Sequence, residues 1–278
     1  MTDTLDIADW TEPEAIVVLG VPFDRHSSFL PGAAKAPGEI RKALSSPHTT
    51  LCTEDGMDLA AETRWGDGGD ICLRDPEGAV KDIEVSVAGH LDRGRRIIAL
   101  GGDHAITFPI VSAYARHFPA IGILHLDAHP DLYDVLDGDR HSHACPFARI
   151  MEAGMAGRLV QVGIRSRTPH QRNQAMRFGV ETIEMRDFSP DIPLIFDGPV
   201  YLSIDLDCLD PAFAPGVSHH EPGGMSTRDV VRIIHGLEGR VVGADIVEFN
   251  PDRDIHGMTA AVAAKLLKEL LARMLSDR

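Results

Sequence analysis

Short runs of aliphatic and β-branched residues alternate along this chain with stretches whose apolar positions recur at helical spacing. AIVVLG (15–20), RIIALG (96–101), AIGILHLD (120–127), RLVQVGI (158–164), PVYLSID (199–205) and RVVGADIVEF (240–249) read as strands. Most are continuous apolar runs, the pattern of strands covered on both faces in a parallel sheet. Helices are predicted near 37–45, 78–94, 107–116, 144–154, 170–178, 226–238 and 257–275. Ser226 and Asp229 frame one helix start as a capping box, a hydroxyl bonding a free backbone N–H and an acid at the positive helix end. The last helix carries Leu266, Leu267, Leu270, Leu271 and Met274 on one stripe, which predicts packing against the sheet. The segment 46–77 mixes Gly, Asp, Thr and Pro and reads as a long loop or excursion. The repeated β-α order predicts one domain over 1–278: an α/β, three-layer α/β/α sandwich with a mainly parallel central sheet.

The acidic excess narrows the partners. Asp and Glu number 42 against 27 Lys and Arg, a formal charge of −15 in 278 residues. Such a chain repels nucleic acid and anionic membrane, and suits cations. The apolar runs are far too short to cross a bilayer. Cys52, Cys72, Cys145 and Cys208 form no CxxC pair or disulfide framework, and the first fourteen residues lack a basic region followed by an apolar run. Both features point to a reducing cytoplasm.

The acids are not evenly spread. In open parallel sheets ligands bind beyond the carboxyl ends of the strands, and four predicted strands end in polar clusters. RIIAL runs into GGDH, with His104. ILHL runs into DAHPD, with Asp127, His129 and Asp131. YLSI runs into DLD, with Asp205 and Asp207, and DIVE ends at Glu248. In extended chain, residues i and i+2 share a side, so DxHxD offers three ligands in one direction and DxD two more. Four clustered carboxylates would raise one another's pKa unless cations relieved them. Two divalent ions would do so, and an oxygen-rich set with some imidazole favours Mn²⁺ over Zn²⁺. Paired ions can also activate water as a nucleophile at neutral pH. His125, inside a strand, reads as a core histidine, and Cys208 as a buried small apolar residue.

GVPFDRHSSFLPGAAKAPGEIR (20–41), GGDHAIT, HLDAHPDLYD, SHACPFARIMEAG, SIDLDCLDPAFAPGVSHHEPGG and VVGADIVEFNP resemble signatures of the ureohydrolases, the arginase and agmatinase family. The wording is most similar to plant-type arginases, and the resemblance covers nearly the whole chain. It implies the arginase-like fold, two Mn²⁺ per subunit and a homo-trimer or homo-hexamer. His104, Asp127, His129, Asp131, Asp205 and Asp207 match its metal ligands, with Asp127 and Asp205 as bridges. His143 matches its proton-shuttling histidine, and Glu248 the acid that grips a guanidinium; Asp131 would move the proton to the leaving amine. Ala105 departs from a frequent Ser, with little expected consequence. The expected reaction is hydrolysis of a small guanidino substrate to urea and an amine.

The choice of guanidino compound turns on the segment LYDVLDGDRH (132–141). Tyr133 stands where animal-type arginases carry Asn. Asp134, Asp137 and Asp139 would repel a substrate carboxylate and attract a second cation, although Arg140 could pair a carboxylate. The segment after GIR, SRTPHQR (166–172), lacks the acid that animal-type arginases aim at the α-amino group. The expectation is therefore agmatine, hydrolysed to putrescine and urea, with L-arginine and then guanidino acids as alternatives. Zinc-dependent deacetylases of related fold are an alternative outside the family, but they use one metal and keep only part of this ligand set.

Overall fold

The computed structural model describes residues 15–74 and 78–277. The N-terminal segment read for a targeting signal lies outside them. Among the described residues, eight strands form one sheet in the order β2-β1-β3-β8-β7-β4-β5-β6. The strands are β1 (Ile16–Gly20), β2 (Trp65–Asp70), β3 (Arg96–Leu100), β4 (Ile121–Leu126), β5 (Ala156–Ile164), β6 (Glu181–Glu184), β7 (Ile195–Asp205) and β8 (Glu238–Val247). Every neighbouring pair is parallel.

Residue alternation along the strands explains the layers. Ile16, Val18, Ile98, Leu100, Leu124 and Leu126 face one core, which is closed by α1 (Ala36–Leu44), α6 (Thr227–Gly236) and α7 (Met258–Ser276). Val17, Leu19, Ile97, Ala99, Ile121 and Ile123 face the other, under α2 (Ala79–Leu91), α3 (Thr107–His117), α4 (Pro146–Glu152) and α5 (Pro169–Phe178). The expected three-layer α/β/α sandwich is the observed one, and its inner strands are mostly apolar because both faces are covered. The leucine stripe of α7 is wholly buried. The capping box at Ser226 and Asp229 forms, and a second one, Thr168 with Gln171, opens α5. Among the described residues no helix is long and apolar enough to cross a membrane.

Two strands lie where none was expected. β2 falls inside the 46–77 segment and β6 inside 181–184, and these are the two edges of the sheet. The chain order places β3 and β4 apart, with β8 and β7 inserted between them. The carboxyl ends of these four central strands form the crevice in which an open parallel sheet binds its ligand.

Candidate metal centre and active site

All four polar clusters reach that crevice. His104 starts a short turn after β3, and Asp127 directly follows β4. Asp205 ends β7, and its Oδ1 accepts the Asp207 N–H at 2.7 Å, which folds the DLD segment back on itself. Glu248 follows β8. Glu248 and Asp131 adopt left-handed backbone at φ 64° and 49°. Non-glycine residues hold that conformation at a cost, and such strain collects at functional sites.

The side chains converge in two overlapping groups. His104 Nδ1 lies 3.3 Å from Asp127 Oδ2, 3.1 Å from Asp131 Oδ2 and 3.2 Å from Asp205 Oδ2. His129 Nδ1 lies 3.0 Å from Asp207 Oδ2 and 3.5 Å from Asp127 Oδ1. Asp127 belongs to both groups. Its Oδ1 also accepts the His129 N–H at 2.6 Å, and Asp207 Oδ1 accepts the Ala128 N–H at 3.1 Å. The six residues expected as ligands are thus brought together.

This donor set fits divalent cations. His104 Nδ1 is buried and makes no hydrogen bond, although three carboxylate oxygens surround it. Burial and the charges of Asp207 and Asp127 push Asp205 well above the usual carboxylate range, and burial with Asp127 raises Asp207 to about 6. Burial disfavours charge on His129, but Asp207 and Asp127 overcome it and raise its pKa to about 12. His104 is likewise raised well above its ordinary value by its carboxylates, against burial. Without metal, protons on these two imidazoles supply the positive charge that the carboxylates require. Oxygen donors with two imidazoles suit Mn²⁺ or a similar ion.

Glu248 and His143 form the neighbouring pair. Glu248 Oε1 accepts from His143 Nδ1–H at 2.8 Å and from the His104 backbone N–H at 2.9 Å. Neither bond uses Oε2, which leaves one carboxylate oxygen for a cationic substrate. His143 Nε2 lies 2.9 Å from Ser28 Oγ. Burial opposes charge on His143, but Glu248 prevails and lifts its pKa to about 9. A raised pKa means that the charged pair stabilises the fold fully below the ordinary value of 6.5, and that this contribution is lost as pH rises through about 9. His143→Gln should therefore lower Tm more at pH 6.5 than at pH 10. A gap independent of pH, measured by thermal unfolding in chelator, would rule out the charged pair.

A cleft of about 200 Å³ opens over the site, and Glu248, His143, Asp131, His129, Tyr133, Arg167 and His219 are among the residues that line it. The His219 ring lies 5.2 Å from that of His143. His125 is buried as expected of a core residue, yet it has a further contact. Gln161 Nε2 donates to its Nδ1 at 3.0 Å, so its Nε2–H donates to Asp127 Oδ2 at 2.7 Å. The signal was available, since His125 precedes Asp127 by two residues and shares its side of the strand.

The loop acids behave differently from expectation. Asp134 is paired with Arg149 at 2.8 Å and Arg140 at 3.1 Å, and Asp139 with His26 at 2.6 Å. Arg140 also holds Glu152. None of Asp134, Asp137, Asp139 and Arg140 lines the cleft. The pairing of Asp134 and Asp139, and the position of all three acids outside the cleft lining, weaken the repulsion that favoured a substrate without a carboxylate. They also take away Arg140 as the carboxylate's partner.

Known proteins share this architecture and sequence. A model of the arginase family matches residues 14–272. Arginase 1, mitochondrial, of Arabidopsis thaliana is 50% identical over 274 residues, covering 92% of this chain and 80% of its own length. The solved arginase from Medicago truncatula has a TM-score of 0.89 at 46% identity, over 94% of this chain and 87% of that one. A solved hypothetical agmatinase from Burkholderia thailandensis has a TM-score of 0.86 at 30% identity, over 95% and 86%. By sequence and by fold the chain belongs to the arginase family, and it is an enzyme of that hydrolase family.

Proposed function

We propose that this enzyme hydrolyses L-arginine to L-ornithine and urea with two Mn²⁺ per subunit, held by His104, Asp127, His129, Asp131, Asp205 and Asp207. The observation that carries the substrate is the 50% identity to a plant arginase over nearly the whole chain. It favours arginine over the agmatine expected from the loop acids, none of which lines the cleft and two of which are paired elsewhere. The family match favours the two-metal reading over a single-zinc deacetylase. A single domain, a homo-trimer or homo-hexamer and a cytoplasmic location belong to the same proposal. The location rests on the scattered cysteines, and the Arabidopsis relative is named as mitochondrial.

The two ions, when bound, supply a water activated for attack on the guanidinium carbon. Glu248 Oε2 would orient the guanidinium through charge-assisted hydrogen bonds. Asp131 would accept the proton of the attacking water and return it to the leaving amine. His143, at the cleft wall, would exchange that proton with solvent.

Arg167 is the one arginine or lysine lining the cleft among the described residues. Its guanidinium pairs with Glu184, and Arg186 bridges Glu184 at 2.9 Å and Asp187 at 3.5 Å, so the local charges balance and Arg167 is the cation that lines the cleft. It is the natural partner for the substrate carboxylate. Losing a hydrogen bond to a charged group costs about 1.5–3 kcal/mol, or roughly 10–100-fold. Arg167→Met should raise KM for arginine by that factor and leave agmatine unaffected. Urea release from arginine, agmatine and guanidinobutyrate, with metal analysis on the same sample, tests the assignment. A clear preference for agmatine by the unmodified enzyme would overturn arginine as substrate.

A further inference from the structure

We propose that Asp245 and Ser203 form a buried relay that fixes the ring of His104, so that its Nδ1 lone pair is presented to one of the two metal ions. The three residues are fully buried. Asp245, on β8, accepts three hydroxyl hydrogen bonds: Tyr201 and Thr107 reach Oδ2, each at 2.8 Å, and Ser203 reaches Oδ1 at 2.7 Å. Ser203 has one hydrogen, and Asp245 receives it. The 2.9 Å contact between Ser203 Oγ and His104 Nε2 is then a bond in which the histidine donates. With Nε2 keeping its proton for Ser203, Nδ1 is the nitrogen left to coordinate an ion, and it faces Asp127, Asp131 and Asp205 at 3.1–3.3 Å.

Packing leaves the ring little freedom to do otherwise. Phe147 meets it edge-on at 5.3 Å, and His125 packs at 5.0 Å. These rings leave the Ser203 hydroxyl as the polar group at Nε2. Charge gives a second argument. A buried carboxylate without a cation is costly, and among the described residues no arginine, lysine or histidine pairs with Asp245. The positive charge nearest in this chain of bonds is the one that His104 would share with a metal. A carboxylate acting through a hydroxyl on the far nitrogen orients a ligating imidazole and strengthens it as a donor, an effect worth 10–100-fold in metal affinity in known sites. Asp245 and Ser203 are therefore positioning residues.

The inference rests on the reading of His104 as a ligand, and one experiment separates the two. Manganese alone is titrated into chelator-stripped wild type, Ser203→Ala, Ser203→Thr, Asp245→Asn and Thr107→Val, with free ion followed by electron paramagnetic resonance. Ser203→Ala and Asp245→Asn should weaken one of the two ions roughly 10–100-fold. Ser203→Thr keeps the hydroxyl and should stay near wild type. Thr107→Val removes a bond to Asp245 but leaves the relay, and should change affinity less than about 3-fold, on the basis that the far-nitrogen partner dominates. Wild-type affinity in Asp245→Asn, or equal losses in Thr107→Val and Ser203→Ala, would overturn the relay while sparing the ligand. A wild-type protein that binds no manganese would overturn both. Should Ser203→Ala fail to fold, the isosteric Asp245→Asn decides.

Discussion

Asp205→Asn should abolish catalysis while making the metal-free protein more stable. The asparagine keeps Oδ1, and with it the 2.7 Å bond from the Asp207 N–H that shapes the DLD turn. What it removes is a buried negative charge. Asp205 has a pKa held well above the ordinary carboxylate range by burial and by Asp207 and Asp127. A carboxyl whose pKa is raised on folding is destabilising when ionised, so its cost is present at neutral pH and vanishes as pH falls. Neutralising it should raise Tm in chelator. In the wild type, manganese should overturn that balance, because ligands that bind only the folded state stabilise it by mass action. The variant should lose most of the Tm increase produced by manganese. It should also lose at least about 10³-fold in kcat, since water no longer activated by two ions moves from a pKa of about 7 toward that of bulk water. Parallel thermal unfolding with and without manganese, and urea release, check the three outcomes. A variant that is less stable in chelator would mean that Asp205 serves the fold and not a cation.

The same charge argument explains why the site was easier to read in the sequence than the sheet that carries it. DAHPD, DLD and GGDH collect acids and imidazoles at strand ends, where like charges have no purpose in a metal-free core, and all six residues meet in one crevice. The inner strands were equally plain, because burial on both faces demands unbroken apolar runs. β2 and β6 escaped because they close the edges. WGDGGD and ETIE are half-exposed and carry no such run, and β1 and β5 recruit them through backbone bonds that need no particular side chain. The loop acids misled for the opposite reason. Asp134 and Asp139 are conspicuous in the sequence, but their partners Arg149 and His26 come from other segments, and only the fold brings them together. His125, Ser203 and Asp245 lie within strands, where a polar residue seems a mere interruption of the run until its partners are visible.

Gly102→Ala should cripple both fold and site, although GGDH could pass for an ordinary turn. A Cβ at Gly102 would occupy the space of the Phe23 carbonyl oxygen, 2.7 Å from its carbon and 3.0 Å from the Val21 oxygen. These are backbone atoms, so no rotamer change relieves the collision. The close approach has a purpose: the N–H groups of Gly102 and Asp103 donate to Val21 and Phe23 at 3.1 and 2.9 Å, and the Gly102 carbonyl accepts the Glu248 N–H at 2.9 Å. One glycine thus ties together the loops after β1, β3 and β8, two of which carry His104 and Glu248. Overpacking of this kind costs about 1–3 kcal/mol or more, and in a domain of this size each kcal/mol lowers Tm by roughly 2–4 °C. Weaker manganese binding should accompany the lower Tm, because His104 moves with the loop. Gly38 in α1 is the matched control, since a Cβ there meets nothing within 4 Å. Gly38→Ala should raise stability by about 0.4–1 kcal/mol through the unfolded chain, with manganese affinity unchanged. Were both alanines to shift Tm equally, the loss at Gly102 would reflect general backbone stiffness and not the junction of three loops that sets the metal ligands in place.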